Sequence, residues 1–267
     1  MLNKIVNALK TVRINTPLVQ AITNYVTIND CANILCCFGA SPAMCEVRAE
    51  VEEFAEVISA LYINLGTLTE EQKVAAVLAA KKATQLHIPV VLDPVACPVI
   101  TRKMDVSRQL LESAKITAVK GNIAEIKSLA GYKGLARGVD SLDEGEDAVE
   151  ACVSLAKKYG TVVVATGKTD IVTDGERTCL IHNGSPMLRL VIGTGCMVGA
   201  LVAAAAGTIE DKWVACAAAV MVMGLAGEMA AASTGGMLPG TFRVKLFDSV
   251  YSLTGNDILK GGKITWL

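Results

Sequence analysis

Aromatic residues are scarce in this chain. Only 4% of its 267 residues are Phe, Trp or Tyr, although 52% are hydrophobic. A core built from stacked rings is therefore excluded, and we expect one filled by Ala, Val, Leu, Ile and Met. The length suffices for a sizeable core within one α/β domain, which we predict to span residues 1–267.

The chain also lacks an excess of charge of either sign. It has 25 Lys and Arg against 26 Asp and Glu, which gives a net charge of −1, and no basic block interrupts the mixture. Nucleic acids and anionic membrane surfaces attract clustered positive charge. We therefore predict a partner that is neither a nucleic acid nor a membrane.

Paired cysteine motifs are missing as well. The nine cysteines are an odd number at irregular spacing, without Cys-x-x-Cys. Residues 1–13 alternate Lys and Asn with apolar residues and show no signal-peptide pattern. We expect reduced thiols in a cytoplasmic protein. The two histidines, His87 and His182, stand alone and favour structural roles.

Two long runs carry no charge, at residues 190–209 and 213–227. The first has the 20 residues needed to cross a bilayer, and the second is too short. Both contain more Gly, Ala and Thr than Leu, Ile and Phe, so the driving force for membrane insertion is weak. We predict core helices of a large α/β protein.

Short apolar runs alternate with helical patterns over most of the sequence. This alternation predicts a mostly parallel central sheet with helices on both faces. Around Asp174-Gly175 the pattern instead predicts an antiparallel hairpin at the sheet edge. The predicted strands are residues 17–22, 60–64, 88–92, 117–119, 161–165, 171–173 and 178–181. The predicted helices before residue 160 are 2–12, 26–38, 50–59, 70–86, 106–114, 123–130 and 148–158.

The stretch Gly193-Thr194-Gly195-Cys196-Met197 lies within the first uncharged run. Two glycines before helix-forming residues predict a loop whose N–H groups point out of a helix start. Such a start attracts a phosphate or a developing oxyanion, because its first amides lack helical partners and lie at the positive end of the dipole. The same field favours the thiolate of Cys196. Phosphoryl transfer to an alcohol needs these features; the alternative is a glycine-rich turn with a buried, inert cysteine.

Polar residues follow four successive predicted strands. In sheets of this kind the carboxyl ends of the strands carry the ligand site, so this repetition favours a cleft at one edge. The phosphate signal matches neither the P-loop nor the dinucleotide-binding pattern. The four strand ends are Asn64-Leu65-Gly66-Thr67, Asp93-Pro94-Val95, Lys120-Gly121-Asn122 and Thr166-Gly167.

Seven motifs together resemble the hydroxyethylthiazole kinases over nearly the full length. They are Ile22-Thr23-Asn24-Tyr25-Val26-Thr27, Asn64-Leu65-Gly66-Thr67-Leu68, Asp93-Pro94-Val95, Lys120-Gly121-Asn122-Ile123-Ala124-Glu125-Ile126, Arg137-Gly138-Val139-Asp140-Ser141, the stretch from Thr166 to Gly175, and Gly193-Thr194-Gly195-Cys196-Met197. The resemblance implies a ribokinase-like α/β fold and phosphorylation of 4-methyl-5-(2-hydroxyethyl)thiazole with ATP and Mg²⁺ in thiamine salvage. It also implies a homotrimer with active sites between subunits.

The resemblance implies a role for each matching residue at the phosphate. Gly193, Thr194, Gly195 and Cys196 are expected to cradle the γ-phosphate with backbone N–H groups, and Cys196 stands where most ribokinase-like kinases have an Asp base. Asp93 and Glu125 are expected to organise Mg²⁺, a hard cation that takes few carboxylates plus water and phosphate oxygens. Taken by itself, Glu125 is more often a first-turn residue that complements a helix dipole.

Further roles follow for the two substrates. Lys120 and Thr166 match ATP-contacting positions, and Asn122 begins the Asn-x-x-Glu group that supports them. Lys120 replaces what is often Arg in the family, which keeps the charge and loses the planar fork. Asn24, Met44 and Gly193 match positions that line the thiazole pocket, although Met44 alone could be core packing.

The chain departs from the family pattern at two places. After Asp93-Pro94-Val95 the family usually has Gly-x-Gly-Ala-Thr, whereas this sequence has Ala96-Cys97-Pro98-Val99-Ile100. Losing both glycines and gaining Pro98 changes the available backbone angles and removes an N–H donor. Gln20 stands where a His is frequent.

These departures leave two alternatives open. One is a sibling kinase of another small alcohol, of the hydroxymethylpyrimidine or pyridoxal type. The other is a protein that binds nucleotide or thiazole without transferring phosphate.

Overall fold

The computed structural model of the protein describes residues 1–132 and 147–267. The strands in these residues are β1 (Leu18–Ile22), β2 (Ser41–Ala43), β3 (Ala60–Asn64), β4 (Val90–Asp93), β5 (Ala118–Asn122), β6 (Val162–Thr166), β7 (Asp170–Thr173), β8 (Thr178–Ile181) and β9 (Ile264–Trp266). The helices are α1 (Leu2–Asn15), α2 (Ile28–Phe38), α3 (Val51–Phe54), α4 (Glu70–Gln85), α5 (Thr101–Ser113), α6 (Ile123–Leu129), α7 (Ala148–Tyr159), α8 (Thr194–Ala206), α9 (Lys212–Ser233), α10 (Pro239–Ser252) and α11 (Gly255–Gly261).

The nine strands form one sheet in the order β2-β1-β3-β4-β5-β6-β7-β8-β9. The first six in this order run parallel to one another. The last three add antiparallel strands at one edge. Parallel strands joined through helices need both sheet faces covered, and that requirement explains their continuous apolar composition.

Two apolar clusters lie on opposite faces of the sheet. One gathers buried residues of α1, α2, α8, α9, α10 and α11. The other gathers buried residues of α3 to α7. Alanine dominates α8, α9 and α4, so these helices pack close to their neighbours with little side-chain entropy to lose. The predicted aliphatic core is present.

The predicted fold class is confirmed: β7 and β8 form the predicted antiparallel hairpin, and β9 lies outside it as the edge strand. The strands at 60–64 and 178–181 have the predicted bounds. Strand β5 extends three residues past its predicted end, because Asn122 still pairs with Thr166 of β6. The predicted loop at 131–140 and the motif at 137–141 lie outside the described residues, apart from 131 and 132.

Three predictions about local structure were wrong. The helix predicted at 50–59 is reduced to α3, because Ser59 already bonds to the backbone of Leu18 on entering the sheet. Strands β2 and β9 were missed, since three residues are too few to show a period, and Pro42 is tolerated in β2 only because that strand lies at an edge. The helix predicted from residue 106 begins at Thr101.

The uncharged runs form core helices. In the run at 190–209, residues 194–206 form α8, Leu190 ends a short 3-10 helix, Pro186–Leu190, and residues 191–193 connect the two. The second run belongs to α9, whose 22 residues exceed the predicted length. Among the described helices α9 alone is long and apolar enough to cross a membrane, and most of it is buried inside the protein. It therefore serves as a core helix.

Helix α8 lies against the sheet at Gly199. A Cβ added to Gly199 would come within 2.6 Å of the Tyr62 ring on β3, and Tyr62 is fully buried. We therefore expect Gly199→Ala to lower the free energy of unfolding by about 1–3 kcal/mol through overpacking. Urea denaturation followed by circular dichroism measures this change.

Gly240→Ala is the matched control, because a Cβ at this helical position meets no atom within 4 Å. We expect it to leave stability unchanged or to raise it by up to about 1 kcal/mol through helix propensity. Equal stability of the two variants would contradict the close packing of α8 on β3.

Candidate functional site

Four neighbouring strands end together at one edge of the sheet. Asn64 at the end of β3 lies beside Asp93 at the end of β4. Asn122 at the end of β5 lies beside Thr166 at the end of β6, whose hydroxyl donates to the carbonyl of Gly121. The predicted gathering of polar strand ends is therefore present, at the edge where parallel sheets bind ligands.

The start of α8 forms an anion cradle above these strand ends. Gly193 precedes the helix at φ 91°, and a Cβ there would lie 2.4 Å from the Thr27 methyl group. In the described chain no hydrogen bond is recorded for the N–H groups of Thr194, Gly195 and Cys196, the first three of the helix. Such amides bind anions well. The Thr194 hydroxyl turns away from them, toward the Leu188 carbonyl.

A buried ammonium group lies under this cradle. A Cβ on Gly195 would be 3.2 Å from Nζ of Lys120, so the lysine head is close to the first turn of α8. Lys120 is buried and its Nζ lies 3.3 Å from Oδ2 of Asp93. Burial by itself lowers the pKa of Lys120, but Asp93 and Glu125 raise it above its ordinary value. The lysine thus stays charged and adds its field to that of the helix.

Asp93 is fully buried and one of its oxygens is unused. Oδ2 faces Lys120 and accepts from the Tyr62 hydroxyl at 3.1 Å. Oδ1 has no hydrogen-bond partner among the described residues. An unpaired buried carboxylate oxygen is costly, and a cation or a hydroxyl proton would satisfy it.

Asn24 connects the loop after β1 to Cys196. Its Nδ2 donates to Oδ1 of Asn64 at 2.9 Å and to the sulfur of Cys196 at 3.4 Å. Its Oδ1 accepts from the N–H of Thr27 at 3.1 Å. Partners on β3, on α8 and in the loop before α2 therefore fix the orientation of the Asn24 side-chain amide. The Cys196 sulfur is held at the start of α8.

Tyr62 completes this network and was missed in the sequence. Its hydroxyl accepts from Asn64 at 2.9 Å and lies 2.9 Å from the Cys196 carbonyl, as well as near Asp93. The available signal was an aromatic residue two positions before Asn64 in an otherwise aliphatic strand. Two positions apart on a strand means the same face, so Tyr62 and Asn64 point together toward α8.

Glu125 is held by two backbone amides. Oε2 accepts from the N–H of Asn122 at 2.8 Å, and the Asn122 side chain accepts from the N–H of Glu125, which forms a capping box at the start of α6. Oε1 accepts from the N–H of Ala96 at 2.9 Å. Glu125 therefore lies in the first turn of α6, as the alternative interpretation expected, and its carboxylate also ties α6 to the loop after β4.

The altered loop after β4 keeps a backbone shape that glycine would favour. Ala96 has φ 62°, a left-handed conformation that costs a non-glycine residue about 1 kcal/mol or more. The hydrogen bond to Glu125 compensates for this strain. At the other departure, buried Gln20 donates to the Cys45 carbonyl at 3.1 Å, next to Met44.

One expectation about Cys196 was wrong. The helix field was expected to favour the thiolate, but burial and the nearby Asp93 charge raise the pKa of Cys196, and Lys120 only partly offsets them. Desolvation disfavours the charged form and is the largest cause of this shift. The group at the cradle is a thiol at neutral pH.

Side-chain contacts bring four of the predicted site residues together: Asn24, Asp93, Lys120 and Cys196. Three more, Glu125, Asn122 and Thr166, are joined to them through the backbone of β5.

Met44 lies apart from these residues. It is half-buried after β2 and packs on the apolar cluster that contains α8. Beside Gly193, a cavity of about 350 Å³ is lined mainly by Val26, Leu190, Ile192, Pro239 and the Asp30–Arg243 ion pair. The described residues hold no group of three His, Cys, Asp or Glu side chains able to bind a metal.

This fold and site define a class of proteins. The chain superimposes on a ribokinase-like superfamily protein from Enterococcus faecalis V583 with a TM-score of 0.63 at 14% identity, covering 91% of this chain and 89% of that one. The fold is therefore ribokinase-like.

Closer relatives narrow the class to one family. The model of the hydroxyethylthiazole kinase family matches residues 9–256. A hydroxyethylthiazole kinase of Desulfitobacterium hafniense is 54% identical over 267 residues, the whole of both chains. The solved hydroxyethylthiazole kinase protein of Pyrococcus horikoshii OT3 has a TM-score of 0.90 and 37% identity over 98% of each chain. This chain belongs to the hydroxyethylthiazole kinase family.

The protonated state of Cys196 has a measurable consequence. Because its pKa is raised above the ordinary thiol value, we expect iodoacetamide to alkylate Cys196 slowly at pH 7.5 and faster only as the pH rises above about 9. Peptide mass spectrometry at a series of pH values gives the rate. Exposed Cys36 monitors reagent quality within the same sample. Rapid alkylation of Cys196 that saturates near neutral pH would contradict the burial argument.

Proposed function

We propose that this protein transfers the γ-phosphate of ATP to the primary alcohol of 4-methyl-5-(2-hydroxyethyl)thiazole, in the salvage of thiamine. The observation that carries this proposal is the buried Lys120 ammonium beneath the free amides of α8, in a chain of this family. In the transfer the alcohol oxygen bonds to the γ-phosphorus, the bond from that phosphorus to ADP breaks, and the alcohol loses its proton.

The cradle supports the phosphate end of this reaction. The N–H groups of Thr194, Gly195 and Cys196 and the Lys120 ammonium supply positive charge where the transferred group becomes more negative. Lys120 and Thr166, with Asn122 in support, are proposed to contact the ATP phosphates. All three lie where β5 pairs with β6, so the hydrogen bonds between these two strands fix their spacing.

The residues at the alcohol end suit a small neutral substrate. Asn24, Met44 and Gly193 are proposed to line the thiazole pocket, with the Cys196 sulfur beside the hydroxyl. A thiol that keeps its own proton cannot accept another, so Cys196 positions the hydroxyl. The alcohol proton passes to an oxygen of the transferred phosphate late, after bond breaking at phosphorus has advanced.

Mg²⁺ fits this site through Asp93. Its unpartnered Oδ1 is the kind of hard oxygen ligand that Mg²⁺ takes together with water and phosphate oxygens. Both oxygens of Glu125 already accept from backbone amides, so we assign it to a supporting position beside the ion. When bound, the ion would neutralise phosphate charge, while Lys120 and the α8 amides orient the transferred group.

Exposed apolar residues next to Gly193 support the trimer with active sites between subunits. Val26, Leu190, Ile192 and Met237 are each more than 60% exposed, and three of them line the cavity beside the site. The three that line one cavity form an exposed apolar surface, a feature of protein interfaces. We also propose one kinase domain over residues 1–267, supported by the single sheet, and a cytoplasmic location, supported by nine free cysteines.

The activity is tested by incubating the protein with ATP, Mg²⁺ and a panel of alcohols comprising the thiazole, a hydroxymethylpyrimidine and pyridoxal. We expect phosphate transfer to the thiazole alcohol, loss of transfer with a chelator, and recovery on adding Mg²⁺. Stronger transfer to another alcohol would support the sibling-kinase alternative. Binding of ATP and thiazole by calorimetry without product would support the non-catalytic one.

The interface is tested by Ile192→Asp. We expect a charged residue in this apolar surface to convert a species of three 27.9 kDa chains into single chains, measured by light scattering after gel filtration. Val57→Asp is the matched control, because Val57 is similarly exposed (65%) in the turn before β3. A trimer that survives Ile192→Asp, or a parent protein that is monomeric, would contradict the proposed assembly.

A further inference from the structure

A second buried lysine lies near the site and has no role in the mechanism above. Lys103 belongs to the first turn of α5 and is only 9% exposed. Its ammonium donates to the carbonyl oxygen of Gly66, in the loop that follows β3. Burying a long cationic side chain is unfavourable unless it is paired, so its placement calls for an explanation.

Gly66 is held on both sides and pressed against Asn24. Its N–H donates to Oδ1 of Asn64 at 3.0 Å, and its carbonyl accepts from Lys103. A Cβ on Gly66 would lie 2.6 Å from Cβ of Asn24 and 2.9 Å from its Nδ2. Any displacement of Gly66 is therefore transmitted to the Asn24 side chain.

Asn24 in turn contacts the sulfur of Cys196. Contacts thus run from Lys103 through Gly66 and Asn24 to the proposed alcohol end of the site. The charge of Lys103 also matters here: burial lowers its pKa, whereas the nearby charge of Glu125 opposes that shift. Lys103 and Lys120 together offset the buried charges of Asp93 and Glu125.

We propose that Lys103 is a positioning residue for the alcohol substrate: it fixes Gly66 against Asn24 and thereby sets where the Asn24 amide meets the Cys196 sulfur. This inference rests on the proposed function for its substrate. It assigns Lys103 to the alcohol end of the site and not to the ATP end, where Lys120 lies. The role is mechanical, because nothing recorded brings the Lys103 ammonium to Cys196.

The experiment compares Lys103→Met with Lys103→Arg and with Lys115→Met. Lys115 is the matched control: its ammonium also donates to a backbone carbonyl, that of Gly160 at 2.8 Å, but it is exposed and lies before β5, at the other end of that strand. We expect Lys103→Met to raise the KM for the thiazole alcohol about tenfold, as expected when a buried acceptor loses its donor. The KM for ATP should change less than twofold, Lys103→Arg should recover part of the loss, and Lys115→Met should resemble the parent.

A double-mutant cycle tests the route through Asn24. If Lys103 acts by way of this residue, Lys103→Met should add little to the effect of Asn24→Ala, whereas independent effects would multiply. Gly66→Ala offers a second route to the same result, since its Cβ displaces Asn24 while Lys103 remains. It keeps the inference testable should Lys103→Met fail to fold.

A readout that needs no turnover separates this inference from the proposed function. Loss of the Asn24 contact should raise the alkylation rate of Cys196 several-fold in Lys103→Met and Gly66→Ala, and leave it unchanged in Lys115→Met. A parent protein that phosphorylates none of the alcohols would overturn the proposed function, and the alkylation rates would still decide the positioning role. Folded Lys103→Met and Gly66→Ala variants with parental alcohol KM and parental alkylation would overturn the inference.

Discussion

The buried pair of Asp93 and Lys120 is the interaction on which the site depends. Both side chains are almost fully buried at adjacent parallel strands, so neither charge can be removed without stranding the other. The pair contributes little net stability in such a setting, because desolvation consumes most of the attraction. The pair instead fixes the positions of two groups. It holds the Lys120 ammonium under the first turn of α8, and it leaves Oδ1 of Asp93 unpaired beside that ammonium.

The network around this pair explains why α8 starts where it does. Gly193 supplies the left-handed entry, and Thr27 fills the space that a side chain there would occupy. Tyr62 reaches from β3 to the backbone of Cys196, while Asn24 reaches its sulfur from the loop after β1. The helix start is therefore fixed from two segments, the loop between β1 and α2 and the strand β3, and it needs no side-chain cap to keep its amides in place.

Local signals in the sequence sufficed for the sheet and for the strand ends. Continuous apolar runs closed by polar residues predicted β3 and β8 to the residue, and Asp93, Asn122 and Thr166 were recognisable because each ends such a run. The protonation of Cys196 could not be predicted in this way, since it depends on Asp93, distant in sequence, and on how deeply α8 is buried. The same holds for Tyr62 and Lys103, whose partners are defined only by tertiary packing. Strand β9 depends on pairing with β8 rather than on any period of its own.

The bond between Glu125 and the left-handed Ala96 couples two properties that are usually measured separately. The carboxylate both carries negative charge near the proposed phosphate site and holds the backbone N–H of the strained Ala96. A neutral replacement at 125 thus changes the electrostatic field and frees a strained loop at once, so its kinetic effect reports the sum of the two. A glycine at position 96 would carry no such strain, so in a chain with glycine there the same replacement would leave the backbone contribution out. The kinetic effect of replacing this Glu in one member of the family therefore applies to another member only when the loop after β4 has the same conformation in both.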